Sequence, residues 1–187
     1  MIDNKNKIIN VLFKKPEYHF HIRELARETK LHPSTISKLT KELEDEGIVK
    51  RENYKKVLEV FCDFDSLKFK RKKQLFNIDA IYGSGLVDEL ISFYNHPIAI
   101  ILFGSFFRGE DWSTSDIDIA VISPKDETPD LTLFENFFSR KIHLLSFPLR
   151  KVSGEFYNNL INGFVLYGFL DNEEFQNLSF RRKSKKN

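Results

Sequence analysis

Two carboxylates lie one residue apart near the middle of the 187-residue sequence, a short distance after a Gly-Ser pair. Asp116 and Asp118 belong to the segment SDIDIAV, whose polar-apolar alternation predicts a strand with both acids on one face. Two adjacent carboxylates repel each other, and a divalent cation relieves that repulsion. Oxygen ligands suit Mg²⁺, which usually keeps several waters and takes phosphate oxygens as further ligands. The acid pair therefore predicts a site for Mg²⁺ or Mn²⁺ together with a phosphate-bearing substrate.

The residues before the acid pair indicate where the phosphates would lie. The apolar run from Ile98 to Phe103 predicts a buried strand, and Gly104-Ser105 ends it where the chain must turn sharply into a helix. Amide groups at such a helix start point outward and favour phosphate. Strand, turn and acid-bearing strand together predict a pocket for a nucleoside triphosphate such as ATP.

Residues 103–121, FGSFFRGEDWSTSDIDIAV, resemble the signature of the minimal nucleotidyltransferases, a group within the DNA polymerase beta superfamily. The strand, Gly-Ser, Arg-Gly and Ser-Asp-x-Asp follow one another in the family's order. The segment NGFVLYG at 162–168 resembles the closing segment of the same group. The resemblance covers about 86–168 and implies the nucleotidyltransferase fold and its phosphate-transfer chemistry.

The resemblance implies a role for each matching position. Gly104 and Ser105 would contact the triphosphate, and the two aspartates, catalytic in the family, would hold the metal ions. Arg108 either adds positive charge beside the phosphates or forms a local ion pair with Glu110 or Asp111. Ser115 would orient the strand that carries the acids, and we include it among the nucleotide-binding residues.

One position departs from the family's pattern. Catalytic members commonly place a third carboxylate on a later strand, and the matching stretch RKIHLL has His143 there. A neutral imidazole can accept a proton or ligate a metal, so we count His143 as a candidate catalytic residue. A strand histidine with a structural hydrogen bond is the alternative. Asp130 and Glu135 are nearby acids, although neither is at the matching position.

The N-terminal third shows a second, independent pattern. Apolar residues at helical spacing predict three short helices, the third beginning at Pro33 and ending near Gly47. Residues 48–61 then predict a β-hairpin with a basic tip. This order resembles a winged helix, in which the third helix reads duplex DNA and the hairpin contacts its backbone.

The predicted DNA-contacting residues are polar or cationic and lie on the third helix and the hairpin. They are Ser34, Thr35, Ser37, Lys38, Lys41, Lys50, Arg51, Lys55 and Lys56. Winged helices also serve as dimerisation or docking modules, and lysine-rich faces are often simply solvated. Salt-dependent affinity for duplex DNA distinguishes these interpretations.

The predicted fold class is α+β, with two modules joined by a connector. A winged helix-turn-helix domain occupies 1–66, a basic helical connector 67–85, a nucleotidyltransferase-like domain with a mixed sheet flanked by helices 86–178, and a basic disordered tail 179–187. Nineteen Phe residues and 41% hydrophobic content supply core material for both domains.

Composition limits the classes of protein that the chain can represent. The formal net charge is only +2, so attraction to nucleic acid must come from local clusters. A single cysteine, Cys62, excludes an internal disulfide. Neither a leader pattern nor a membrane-length apolar stretch is evident, and we expect a soluble cytoplasmic protein.

Three functions agree with these patterns. In the first, the protein transfers a nucleoside monophosphate from NTP to a hydroxyl of a protein or nucleic acid. In the second, a catalytically weakened domain senses nucleotide for a DNA-binding regulator. In the third, the chain is the antitoxin-like partner of a separate helical nuclease. Winged-helix proteins often bind DNA as symmetric pairs, so a homodimer is a further expectation.

Overall fold

The computed structural model describes residues 3–55, 57–148 and 154–170. The chain forms two compact units, which are described separately. The first contains residues 1–77 and 108–115, and the second contains residues 78–107 and 116–187. The chain thus returns to the first unit for eight residues between the Gly-Ser turn and the acid pair.

The first unit combines three helices with a small antiparallel sheet. Its elements are α1 (Asn4–Lys14), β1 (Phe20–His21), α2 (Ile22–Thr29), α3 (Pro33–Asp45), β2 (Val49–Tyr54) and β3 (Val57–Cys62), followed by the first part of α4 (Leu67–Gly83). The strand order is β1-β3-β2, and both pairings are antiparallel. This is the winged-helix arrangement that the sequence predicts.

Local signals explain where the third helix begins and ends. Pro33 occupies its first turn, where the missing N–H costs nothing, and the His32 ring nitrogen accepts a hydrogen bond from the Ser34 amide. Ile36 and Leu43 are completely buried and fix the face that packs on the other helices. Solvent therefore meets the opposite face of α3.

Strand β1 is the element of this unit that the sequence did not predict. It has two residues, with Phe20 paired to Val60 and His21 to Glu59 of β3. A two-residue strand is too short to show alternation, so only the pairing with β3 defines it.

The second unit contains a four-stranded mixed sheet with helices on both faces. Its elements after α4 are α5 (Leu86–Phe93), β4 (Ala99–Phe103), α6 (Gly104–Arg108), β5 (Ile117–Ile122), α7 (Thr132–Phe138), β6 (Ile142–Phe147), α8 (Gly154–Ile161) and β7 (Phe164–Gly168). The strand order is β6-β5-β4-β7, with β5 and β6 parallel and the other neighbours antiparallel. The predicted α+β class is confirmed.

Alternation along the central strands separates two hydrophobic clusters. One face contributes Ile100, Leu102, Ile117, Ile119 and Val121. The other contributes Ala99, Ile101, Ala120 and Ile122, which pack with Leu160 of α8. Asp118 and His143 have the parity of the second face and lie at the end of the sheet where β5 and β6 begin.

One predicted boundary near the acid pair changes in the structure. The acid-bearing strand begins at Ile117 and not at Ser115, because Ser115 closes a turn with Trp112. The predicted basic tail at 179–187 lies outside the described residues. In the described part of the chain, no helix has both the length and the apolar character that a membrane span requires.

Candidate functional site

The acid pair lies at the start of a central strand. Asp118 on β5 is paired in register with Phe103, the last residue of β4, so the Gly-Ser turn follows directly beside it. Its side chain is 25% exposed. Asp116 immediately precedes the strand and is exposed. Both acids therefore reach solvent at the end of the sheet, where a phosphate-bearing ligand can approach.

Gly104 allows the turn to lie against the second acid. Its φ is +77°, in the left-handed region that favours glycine, and a Cβ on this residue would overlap the Oδ2 atom of Asp118. A side chain at position 104 would therefore both strain the backbone and displace the carboxylate. Ser105 follows in α6 and is half-buried.

His143 is brought to the same place by the parallel pairing of β5 and β6. It lies directly opposite Asp118 in the register, and its Nδ1 atom is 3.3 Å from the Asp118 Oδ1 atom. The imidazole is 58% exposed. The arrangement allows either a hydrogen bond that orients the carboxylate or transfer of a proton at the ring nitrogen.

The other nearby acids have local partners. Glu135 accepts hydrogen bonds from the Lys141 ammonium at 2.7 Å and from the Ile142 amide at 3.1 Å, and both lower the pKa of its carboxyl. Asp130 accepts hydrogen bonds from the hydroxyl and the amide of Thr132, which also lower its pKa. Both carboxylates thus accept local hydrogen bonds, whereas the Asp118 carboxylate lies against Gly104 and faces His143.

The donor set fits a metal that arrives with its substrate. Among residues 3–55, 57–148 and 154–170, no group of three His, Cys, Asp or Glu side chains forms a complete metal site. Mg²⁺ commonly binds through one or two carboxylates and completes its shell with water and substrate phosphate. Asp116 and Asp118 supply those carboxylates, and Gly104 leaves the adjacent space clear of a side chain.

Two predicted nucleotide-binding residues belong to the first unit. Arg108 is exposed, and its Nε atom donates to Glu110 at 2.9 Å. Hydrogen bonds from Arg108 and then Lys70 lower the pKa of the Glu110 carboxyl. Ser115 accepts a hydrogen bond from the Trp112 amide at 2.9 Å and closes a tight turn.

The first unit contains a buried charged cluster that the sequence patterns did not reveal. Lys73, Asn77 and Asp111 are each no more than 1% exposed and hydrogen-bond to one another. Lys73 and Asn77 are four residues apart and so share one face of α4, and this spacing is visible in the sequence. Its meaning is obscured because Lys73 follows a run of cations that is typical of a solvated surface.

The predicted DNA-reading face of α3 is partly open. Ser34, Lys38 and Lys41 are exposed, whereas Thr35 and Ser37 are half-buried. The helix therefore presents two ammonium groups and a hydroxyl to solvent. These groups can contact phosphates and base edges.

The predicted hairpin contacts differ from one another. Lys50 lies 2.9 Å from both Asp63 and Asp65, and the Arg51 side chain is 13% exposed and faces Glu44. Lys55 is exposed at the turn, over the ring of its neighbour Tyr54. Lys56 lies outside the described residues. Within the described hairpin, Lys55 is thus the most accessible predicted cation.

Comparison with known families agrees with the two folds. Residues 86–168 match the family model described as Polymerase beta, Nucleotidyltransferase. Residues 3–50 match the model described as Winged helix-turn-helix DNA-binding. Neither a curated protein nor a solved structure matches the chain significantly. The family matches confirm the fused architecture indicated by the sequence motifs.

Proposed function

Because the chain joins a winged helix-turn-helix domain to a domain of the Polymerase beta nucleotidyltransferase family, we propose that it is a metal-dependent nucleotidyltransferase with its own DNA-binding module. The reaction transfers a nucleoside monophosphate from NTP to a hydroxyl of a protein or nucleic acid. The observation that carries the proposal is the packing of Gly104 against the Asp118 carboxylate, beside the exposed Asp116.

The residues divide the work of the reaction. Asp116 and Asp118 would hold Mg²⁺ or Mn²⁺, and Gly104-Ser105 would bind the triphosphate. The bound ions would lower the pKa of the incoming hydroxyl and neutralise charge on the triphosphate. The hydroxyl oxygen forms a bond to the α-phosphorus, the bond from that phosphorus to the pyrophosphate oxygen breaks so that pyrophosphate leaves, and the hydroxyl proton passes to the His143 ring or to water.

His143 has a defined part in this proposal. Its Nδ1 atom is 3.3 Å from Asp118, so a neutral ring that donates there orients the carboxylate. In that tautomer the other ring nitrogen, Nε2, carries the lone pair and can take the proton that leaves the hydroxyl. Restoring the family's acid by His143→Asp separates the roles: increased transfer favours a need for a third carboxylate, and decreased transfer favours a working imidazole.

The decisive experiment uses purified full-length protein with Mg²⁺ or Mn²⁺, each α-labelled triphosphate, and either lysate proteins or nucleic acid as acceptor. We expect label on the acceptor and a loss of about 10²- to 10³-fold or more in Asp116→Ala and Asp118→Ala. Asp88→Ala, at an exposed acid on α5, is the matched control. Equal transfer by the wild type and Asp118→Ala would contradict the proposal.

A second function is favoured by the histidine at the third-acid position. In that case the domain binds the metal-nucleotide complex without turnover and reports it to the DNA-binding module. Metal-dependent nucleotide binding that is lost in Asp118→Ala, with no label transferred to any acceptor, would support this regulator over the enzyme.

A further inference from the structure

A buried ion pair joins α4 to the segment between the Gly-Ser turn and the acid pair. The Lys73 Nζ atom lies 2.9 and 2.8 Å from the two oxygens of Asp111 and 2.8 Å from the Asn77 side-chain oxygen. Asn77 also donates to Asp111 at 2.8 Å. Lys73 and Asp111 are 1% and 0% exposed. All three residues belong to the first unit.

Such a pair has to be explained by something other than stability. Removing two charges from water is costly, and replacing a buried ion pair with well-packed apolar residues is often neutral or stabilising. What the pair does provide is direction, because it fixes the position of Asp111 beside Lys73 and Asn77 and so constrains the path of the segment. The cluster therefore specifies where the segment runs.

Three further contacts hold the same segment. Gly109 has φ +67°, and a Cβ on it would overlap the Lys70 carbonyl oxygen and lie 2.9 Å from the Gln74 amide. The backbone of the segment thus lies directly against that of α4. Ser113 donates to the Glu17 carboxylate through its amide and hydroxyl. Trp112 stacks on Phe64 with ring centroids 5.6 Å apart.

The position of Asp116 depends on this segment. The ladder of β5 with its neighbours begins at Ile117, so the sheet orders Asp118 but leaves Asp116 outside its hydrogen bonds. Asp116 follows Ser115 directly, and Ser115 closes the last turn of the segment. A segment held at Asp111 restricts the backbone of Asp116, whereas a loose one does not.

We propose that Lys73, Asn77 and Asp111 are positioning residues of the transfer site, which act through the segment on Asp116. The inference rests on the proposed function and adds two residues that lie outside 86–168, Lys73 and Asn77, to the machinery. The contacts of the segment with α4 are then part of what orders the backbone of Asp116.

The test replaces the ion pair by apolar residues in the full chain, as Lys73→Met with Asp111→Leu. The matched controls are Ile8→Val and Ile8→Ala, at a buried residue of α1. They are chosen so that their melting temperatures lie above and below that of the double variant. Because misplacement by about 1 Å can cost on the order of 10²-fold in rate, we expect kcat for transfer to fall 10- to 100-fold in the double variant, with a smaller change in KM for NTP. The Ile8 controls should keep kcat within about threefold of the wild type, because they lower stability without moving the residues of the transfer site.

A second variant keeps the proposal testable if the first does not fold. Gly109→Ala leaves every charge in place but forces the segment off α4, and Gly83→Ala is its control because a Cβ there meets no atom within 4 Å. We expect Gly109→Ala to lower kcat and Gly83→Ala to leave it unchanged. A wild-type kcat in Gly109→Ala or in the folded double variant would overturn the positioning role.

Hydrogen exchange in the absence of nucleotide separates this inference from the proposed function. Amides of peptides covering 108–118 should exchange at least tenfold faster in the double variant and in Gly109→Ala than in their controls. If the wild type transfers no label, the proposed function fails, while the exchange comparison still decides whether the cluster orders Asp116. Unchanged exchange in both variants would overturn the inference whatever the wild type does.

Discussion

Asp111 and Asp118 are seven residues apart in one motif and have opposite environments. Asp111 is completely buried and hydrogen-bonded to Lys73 and Asn77. Asp118 is 25% exposed, lies against Gly104 and faces His143. An acid already neutralised by a buried lysine cannot serve a metal ion, whereas one that reaches solvent at the end of a central strand can. Burial and partners, not residue type, separate structural charges from chemical ones here.

The largest effect should come from the open acid. Asp118→Ala is expected to reduce nucleotidyl transfer by about 10²- to 10³-fold or more, because the carboxylate would hold the metal ion in the transition state. The free energy of unfolding should change by no more than about 0.5 kcal/mol, as for other surface positions. Initial transfer rates and urea denaturation measure the two quantities. A stability loss like that expected for Asp111 would break the comparison.

The buried acid should show the reverse pattern. Asp111→Ala is expected to destabilise the protein by about 3–5 kcal/mol, because the buried Lys73 ammonium would lose the Asp111 carboxylate. Urea denaturation followed by circular dichroism gives the value. Lys73→Met with Asp111→Leu should recover most of the loss, and failure to recover would show that Asp111 acts through other contacts.

The glycine beside Asp118 connects the turn to the open acid. Gly104→Ala is expected to weaken metal-dependent binding of NTP by about tenfold or more, since displacing a carboxylate that can ligate the metal costs more than about 1.4 kcal/mol. Calorimetric titration with Mn²⁺ and a non-hydrolysable NTP measures the affinity. Gly83→Ala should bind like the wild type, and equal binding by both variants would remove Gly104 from the site.

The same contrast between engaged and open charges applies to the lysines of the first unit. Lys38→Ala and Lys41→Ala should each reduce the salt slope of DNA affinity by about 1, because their exposed ammonium groups can contact phosphates. Lys50→Ala should change the slope much less, since Asp63 and Asp65 already hold its ammonium. Fluorescence anisotropy with duplex DNA at several salt concentrations tests both. A larger effect for Lys50 would reverse the assignment.

The smallest effect should come from the exposed ion pair between Arg108 and Glu110, on the segment that also contains Asp111. Glu110→Gln is expected to cost about 0.2–1 kcal/mol, because solvent screens its contacts with Arg108 and Lys70. Those contacts lower the pKa of Glu110, so their stabilisation is present above the carboxyl's ordinary pKa of 4.5 and disappears as pH falls through the lowered value. The free energies of unfolding of the wild type and of Glu110→Gln, measured between pH 7 and 3, should therefore become equal at the acid end of this range.

Strong local patterns made much of the architecture predictable. Helical spacing revealed α1 to α3, and the Gly-Ser turn with Asp116 and Asp118 indicated the nucleotidyltransferase domain. Strand β1 was not predicted, because two residues are too few to show an alternating pattern. The partners of Lys50 and Arg51 were not predicted either, because an ion pair between separate elements produces no pattern in the local sequence.

The amino-acid sequence alone determined which residues could do chemistry: an acid pair after a Gly-Ser turn, and a lysine-bearing helix before a hairpin. Spacing carries this information because helices and strands repeat with fixed periods. Only the tertiary structure decided that Asp111 is neutralised inside the first unit, that His143 faces Asp118, and that Lys50 is already paired. These outcomes depend on which distant groups come together in a low-dielectric interior or at one end of a sheet. The paired residues are 13 to 38 positions apart in the chain, and such pairing is set by packing and not by local periodicity.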